Sequence, residues 1–290
     1  MKPVVLVTRK LPDVVEARLQ RDYQPILNPT DTLYSSEEII KIAENVDGIL
    51  PCHTEKFNAE VIERLPERVK IIANFSVGYD HVDTSAAKEH GLVVTNSPDV
   101  LSDATAELTI MLMLGAARRA SEGERLVRTR EWKDWSPSFM VGVQMTGKRL
   151  GIVGFGRVGQ VVAQRARAFD MTIHYHNRRR AEPGIEQGAI YHETVEELMP
   201  HCDFLALHCL ASPETTGLLN AQRIALLPDG AVVVNASRGA VIDDAALIDA
   251  LKSGKLYAAG LDVFNNEPDI DPAYRELTNV FLMPHIGSAT

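Results

Sequence analysis

The stretch LGIVGFGRVGQVVAQRARAF, residues 150–169, decides how the chain is read. It opens on an apolar run, carries glycines at 154, 156 and 159, and ends in mixed apolar and charged residues at helical spacing. Strand, tight turn and helix follow from those three textures. Taken alone, Gly-x-Gly-x-x-Gly is only a turn pattern. Between a strand and a helix it has a physical meaning: Gly154 permits the tight turn, Gly156 lets backbone approach a pyrophosphate, and Gly159 lets helix pack on strand. The stretch therefore predicts a dinucleotide site.

The next strand ends in HYHNRRR, residues 174–180. Such sites place an Asp or Glu about 20 residues beyond the glycines to bind the adenosine ribose. Here Asn177 stands at that place, followed by Arg178, Arg179 and Arg180. A carboxylate would repel a 2′-phosphate, whereas guanidinium groups pair with it in short, charge-assisted bonds. The expectation is NADP (NADPH) in preference to NAD. NAD is the cofactor if the arginines form only a solvated turn.

Outward from this point the chain alternates. Before residue 98 run VVLVT (4–8), DGIL (47–50), VKIIANF (69–75) and LVVT (92–95), with helix-like segments between them. After it, RLGIV (149–153), MTIHYH (171–176), DFLALHC (203–209), AVVVN (231–235), YAAGLDV (257–263) and VFLM (280–283) repeat the rhythm. Between the halves, LSDATAELTIMLMLGAARRA predicts one long helix over 101–119, capped by Ser102 or Asp103. Strands alternating with helices imply parallel sheets covered on both faces, so the expected class is α/β with two doubly wound parallel-sheet domains. The expected boundaries are 1–98, 99–285 with the long helix in the second domain, and 286–290 as a return linker.

Composition narrows the function. The 290 residues are 45% hydrophobic and 24% charged with a net charge of −9, which argues against a nucleic-acid footprint. No run approaches the roughly 20 apolar residues of a membrane span, and VVLV is too short for a signal peptide. Three cysteines, Cys52, Cys202 and Cys209, show neither metal-site nor disulfide spacing, so no metal and a cytoplasmic, reducing setting are expected.

Three further stretches carry reactive side chains: NASRG (235–239), GLDVFNNEP (260–268) and MPHIGSAT (283–290). Each follows a predicted strand, which puts Arg238, Asp262, Glu267 and His285 at the carboxyl edge of the sheet, where open α/β folds bind ligands. Histidine can donate a proton near neutral pH, a carboxylate beside it favours the imidazolium, and arginine can hold a carboxylate while polarising a carbonyl. Beside a nicotinamide, that set suits reduction of a 2-keto acid. Singly, each residue is as well explained by a loop or helix-capping role. The conjunction carries the reading. His53, His81, His174, His176 and His208 lack such company and are expected in surface or packing roles.

With SVGYDHVD (76–83), TNSPDVLSDATAEL (95–108), GIVGFGRVG (151–159), LPDGAVVVNASRGAVIDDAAL (227–247), AAGLDVFNNEP (258–268) and PHIGSAT (284–290), the chain resembles the D-isomer-specific 2-hydroxyacid dehydrogenase family, in its glyoxylate/hydroxypyruvate and 2-ketogluconate reductase branch. The resemblance implies a Rossmann nucleotide-binding domain and a flavodoxin-like substrate domain, the latter completed by a segment beyond residue 290. It implies His285 as acid/base, Glu267 as its partner and Arg238 as substrate anchor. The backbone of Val77 and Gly78 would hold the substrate carboxylate, that of Arg157 and Val158 the pyrophosphate, and Asp262 the nicotinamide amide. It further implies a homodimer built on 101–119 and 130–142, with Trp132, Trp135, Phe139 and Met140 as anchors and Phe139 reaching the partner's cleft. Leu210 and Ala211 depart from the family's usual Pro-Leu. Glu267 speaks against formate oxidation, which pairs the histidine with Gln; a dinucleotide-sensing corepressor is the rival outside enzymology.

Overall fold

Short β-branched runs bounded by turns give five parallel strands in the first hundred residues and seven in the rest of the computed structural model, which describes residues 1–290. Contacts divide the chain into two units, Met1–Val100 and Leu101–Thr290.

In the first unit the strands are β1 (Val4–Val7), β2 (Gln24–Ile26), β3 (Gly48–Leu50), β4 (Ile71–Ala73) and β5 (Val93–Thr95), in the order β2-β1-β3-β4-β5. The helices are α1 (Asp13–Asp22), α2 (Ser36–Ala43), α3 (Ala59–Glu63) and α4 (Thr84–Glu89). One sheet face buries Leu6, Ile49 and Ile72 against Ile39, Ile62 and Ala87, and the other packs Val7 against Leu11 and Leu19. Local signals fix the helix starts. Ser35 and Glu38 form a reciprocal capping box on α2, and the Asp83 carboxylate accepts the N–H groups of Ser85 and Ala86 on α4. Two elements lay outside the sequence reading, β2 and α2. QPI has little strand character of its own, and β2 forms because β1 offers it an edge.

The second unit holds α5 (Ser102–Ala117), α6 (Ala120–Arg128), β6 (Arg149–Val153), α7 (Arg157–Arg167), β7 (Thr172–His176), α8 (Pro183–Glu186), β8 (Ile190–His192), α9 (Val195–Leu198), β9 (Phe204–Leu207), α10 (Ala221–Leu226), β10 (Ala231–Asn235), α11 (Asp244–Ser253), β11 (Leu256–Leu261), α12 (Ala273–Glu276) and β12 (Val280–Leu282). Strand order is β12-β11-β10-β9-β6-β7-β8, every pair parallel. The order reverses between β6 and β9, which opens a crevice at their carboxyl ends. Cores lie on both faces, one under α9–α11 and the other under α5 and α7.

The helix expected over 101–119 is α5, Ser102–Ala117, and α6 follows it as a separate helix outside that range. Arg119 turns left-handed, φ 55°, and its guanidinium pairs with Glu122 through two bonds of 2.8 Å, which starts a new helix axis. Neither Ser102 nor Asp103 caps α5; both lie in its first turn, and Asp103 accepts a bond from Arg165 of α7 at 2.7 Å. No helix is long and apolar enough to cross a membrane.

Candidate functional site

The glycine turn sits where the sheet reverses. Gly154 has φ 94°, and a Cβ there would stand 2.5 Å from backbone atoms of His208 and Cys209 on the far side of the crevice. At Gly159 a Cβ would collide with the Gly154 carbonyl, so helix and strand could not close up. No side chain caps α7 at Gly156, so the positive end of its dipole, with the amides around Arg157 and Val158, opens on the crevice. His208 was passed over in the sequence. It follows β9, its Nε2 is buried with no hydrogen-bond partner, and burial pushes its pKa down to about 4, so it enters the crevice wall neutral. An uncapped helix end, glycines where a Cβ would intrude and an orphaned imidazole nitrogen all fit a dinucleotide.

The arginine triplet separates into two kinds. Arg180 donates to both Glu186 oxygens, at 2.8 and 3.1 Å, and its guanidinium lies 5.8 Å from the centre of the Tyr191 ring. Glu186 is 6% exposed and also accepts from the Tyr175 hydroxyl at 2.6 Å. Arg180 is thus spoken for by the protein's own carboxylate. Arg178 and Arg179 are exposed, and the Asn177 side chain fixes their turn by donating to the Arg179 carbonyl at 3.0 Å.

At the other end of the sheet's carboxyl edge, Nδ1 of His285 lies 2.6 Å from Oε2 of Glu267. The second Glu267 oxygen accepts the Phe264 N–H at 2.7 Å, so the carboxylate is oriented by backbone on one side and imidazole on the other. Both partners are held by unusual backbone: His285 has φ 55° and Asn266 φ 59°. Left-handed conformation in a non-glycine residue costs on the order of 1–3 kcal/mol and gathers at functional sites. A cavity of about 310 Å³, walled by Phe264, Pro268, Ile270, Leu282 and Met283, adjoins the pair and gives it an apolar flank.

Asp262, one residue past β11, is 1% exposed, and its two oxygens accept the N–H groups of Ile286 and Gly287 at 2.8 and 2.9 Å. Burial pushes its pKa up, and those two amides pull it back. Arg238 begins a short 3-10 turn after β10. Its conformation is set by Asn235, fully buried, whose amide donates to the Arg238 carbonyl at 2.9 Å while its oxygen accepts from Ser237 at 2.8 and 3.0 Å. Asn235 was also missed; an Asn ending an apolar strand just before a serine and an arginine was the available signal.

In the first unit, Ser76 Oγ donates to the Gly78 carbonyl at 2.6 Å and Asn96 to the Val77 carbonyl at 2.8 Å. The Asn96 bond orients the peptide that carries the Gly78 N–H, the Ser97 N–H on the Ser76 carbonyl at 2.9 Å orients the one that carries the Val77 N–H, and no acceptor in the chain takes either N–H. Two adjacent open amides make a carboxylate-sized concavity. Phe139 is 41% exposed, in a segment where Trp132 and Trp135 are exposed as well.

A doubly wound sheet with a glycine turn at its reversal point and a histidine–glutamate pair on the same edge defines a dinucleotide-dependent oxidoreductase. The family profile for the D-isomer specific 2-hydroxyacid dehydrogenase, NAD binding domain, matches residues 110–287. Glycerate dehydrogenase of Hyphomicrobium methylovorum is 42% identical over 290 residues, 99% of this chain and 90% of that one. Among solved structures, a putative D-isomer specific 2-hydroxyacid dehydrogenase from Polaromonas sp. JS6 66 superposes with TM-score 0.94 at 46% identity, covering 100% of this chain and 91% of its own. An NADPH-dependent glyoxylate/hydroxypyruvate reductase from Sinorhizobium meliloti, solved with NADP and malonate, gives 0.88 at 32% identity, covering 100% and 88%. The chain belongs to the D-isomer-specific 2-hydroxyacid dehydrogenase family, and it is an oxidoreductase of that family.

Proposed function

We propose that the protein is an NADPH-preferring reductase of small 2-keto acids, of the class of glyoxylate, hydroxypyruvate and 2-ketogluconate, yielding D-2-hydroxy acids. The observation that carries this reading is the 2.6 Å pair of His285 and Glu267 on the carboxyl edge of the nucleotide-binding sheet. A reduced nicotinamide supplies hydride to a carbonyl carbon; the chain's residues supply everything else. Arg238 holds the substrate carboxylate and polarises the carbonyl, and in the first unit the open amides of Val77 and Gly78 are suited by their chemistry to a carboxylate. With Nδ1 of His285 committed to Glu267, proton donation to the carbonyl oxygen falls to Nε2. Glu267 fixes the ring's tautomer and balances the imidazolium. Arg178 and Arg179 bind the 2′-phosphate, the amides around Arg157 and Val158 the pyrophosphate. The relatives' names support the substrate class, and the NADP complex of the Sinorhizobium meliloti reductase supports the cofactor.

The exposed Trp132, Trp135 and Phe139 support a homodimer, since aromatic anchors favour interfaces, and the three cysteines, none in a disulfide, accord with a cytoplasmic enzyme. The test is NADPH oxidation followed at 340 nm with a panel of 2-keto acids. Turnover of at least one of them with lower efficiency for NADH supports the reading. Tight NADPH binding with no turnover of any keto acid would establish the sensor alternative in its place.

A further inference from the structure

Two adjacent aspartates open α11, and the helix needs only one of them as a cap. Asp243 is that cap, its carboxylate accepting the Ala246 N–H at 3.2 Å. Asp244 is occupied elsewhere. Its Oδ2 accepts from the Asn265 side chain at 2.8 Å, and its Oδ1 accepts from the Tyr274 hydroxyl at 2.7 Å. One carboxylate thus joins the start of α11, the loop after β11 and the short helix α12. Both donors are committed to it. Burial, with Tyr274 1% exposed, and then the Asp244 bond push the phenol's pKa up, so the hydroxyl keeps its proton. The Asn265 amide has its other contact on the Ile242 carbonyl at 3.3 Å, in the same segment.

The two arms converge on Phe264. Asn265 is its neighbour in the chain, and the Tyr274 ring meets the Phe264 ring edge-on with centroids 6.0 Å apart. The Phe264 N–H is the donor that orients Glu267, at 2.7 Å, and the other Glu267 oxygen lies 2.6 Å from Nδ1 of His285. On its far side this loop abuts the turn of Arg238. A Cβ at Gly239 would stand 1.9 Å from the Phe264 carbonyl carbon and 2.4 Å from the Asn265 nitrogen, so backbone meets backbone there. The β11 ladder ends at Leu261, which leaves side chains to hold residues 264–267 in place.

We infer that Asp244 is a positioning residue for Glu267, fixing through Asn265 and Tyr274 the loop from which Glu267 reaches His285. The inference deepens the reading of His285 and Glu267 as the proton-donating pair and rests on it. It gives the two aspartates of one helix start different tasks: Asp243 ends the helix, and Asp244 fastens the reactive loop to it.

The test is a set of variants read by kcat, pH profile and cofactor titration. In Asp244→Ala the loop loses both arms, and kcat should fall roughly ten- to 100-fold, the cost of a small misplacement near reacting groups. The fall of reductase activity should move to lower pH, as in Glu267→Gln, while the NADPH dissociation constant stays within about threefold. Asn265→Ala removes one arm and leaves the buried tyrosine its acceptor; it should show the same displacement in smaller measure, and it carries the test if Asp244→Ala does not fold. Asp244→Asn, whose oxygen still accepts from Asn265, should recover most of the parent's kcat and profile. In a Glu267→Gln background, Asp244→Ala should cost little further, because both act through one carboxylate. Alanine variants that melt lower yet keep the parent's kcat and pH profile would reduce Asp244 to a brace for α12 and overturn the inference. An Asp244→Asn enzyme as impaired as Asp244→Ala would also overturn it, by placing the effect on the charge at the helix start. Failure of the underlying reading shows separately, as a His285→Ala enzyme that keeps its kcat.

Discussion

Replacing Arg178 by alanine should weaken NADPH binding while leaving NADH nearly untouched. The turn after β7 presents three exposed arginines, of which Arg180 is bound bidentately to Glu186, leaving Arg178 and Arg179 for a ligand. A hydrogen bond to a charged group is worth about 1.5–3 kcal/mol, which is roughly 10- to 150-fold in affinity. Glu214 moderates that figure. Its carboxyl is held below the usual range mainly by the Ser212 hydroxyl and in smaller part by attraction to Arg178, so a phosphate entering the turn competes with a charge already there. The lower half of the range is expected, and Glu214→Gln should tighten NADPH slightly. The assay is kcat/KM for NADPH and NADH across Arg178→Ala, Arg179→Ala and Arg180→Ala. Arg180→Ala should lower the melting temperature, since it strips Glu186 of its cation, yet keep the cofactor ratio. Equal losses with both cofactors in Arg178→Ala, or a selective NADPH loss greatest in Arg180→Ala, would refute the reasoning.

His285→Ala should lower kcat by about 100- to 10,000-fold without comparable loss of NADPH affinity, because general acid catalysis supplies that factor; stopped-flow turnover and cofactor titration separate the two. Glu267→Gln should shift the fall of reductase activity to lower pH, since the imidazolium loses its carboxylate, and an unshifted profile removes Glu267 from the mechanism. Acid should weaken the nucleotide-binding unit at His174, which is 6% exposed, stacked at 5.0 Å on His201 and 5.2 Å on His192, with Nδ1 3.0 Å from Nε2 of His192. Burial, then its histidine neighbours and Arg149, against a small opposing pull from Asp203, lower its pKa from 6.5 to about 4. Between those values the unfolded chain takes a proton that the folded one refuses, so stability is lost as pH falls from about 6.5 to about 4, by about 2–3 kcal/mol. Urea unfolding at several pH values should show that loss, and His174→Phe should reduce it while the buried His208 keeps its own share; a variant with the parent's full acid dependence places the titration elsewhere. Light scattering should give a dimer at micromolar concentration, and Trp135→Ala with Phe139→Ala should shift it toward monomer.

The sequence was most legible where one physical requirement forced one residue type. Gly154 and Gly159 could be read in advance because any Cβ there meets backbone. The strand runs could be read because a parallel sheet buried on both faces admits little but Val, Ile, Leu and Ala, as AVVVN of β10 shows with all five residues buried. Legibility failed where tertiary contact overrode local preference. The separate helix α6, beginning at Ala120, was not read from the sequence, and the Arg119–Glu122 pairing and the left-handed backbone at Arg119 mark its start. Arg178 and Arg180 are the same residue type two positions apart in one turn, and what separates them is Glu186 of α8, buried where its spacing gave no hint. His174, His192 and His201 come from a strand, a second strand and a short turn, a grouping that only the fold creates.

The pair of His285 and Glu267 shows why two side chains could be singled out in advance and their placement could not. His285 and Glu267 stand out by type and neighbourhood, yet both stand on or beside left-handed non-glycine backbone, at His285 itself and at Asn266. Glycine would take those conformations without strain, but at 285 it would carry no imidazole. The site therefore keeps the functional side chain and compensates the backbone locally, with the Phe264 N–H on Glu267 and the Asp262 carboxylate on Ile286 and Gly287. The first brace is local to the loop after β11, whereas the second joins the ends of β11 and β12, so it forms only after those two strands have aligned. His285 thus becomes ordered as a consequence of sheet registration, which ties its placement to the same parallel pairing that creates the nucleotide crevice.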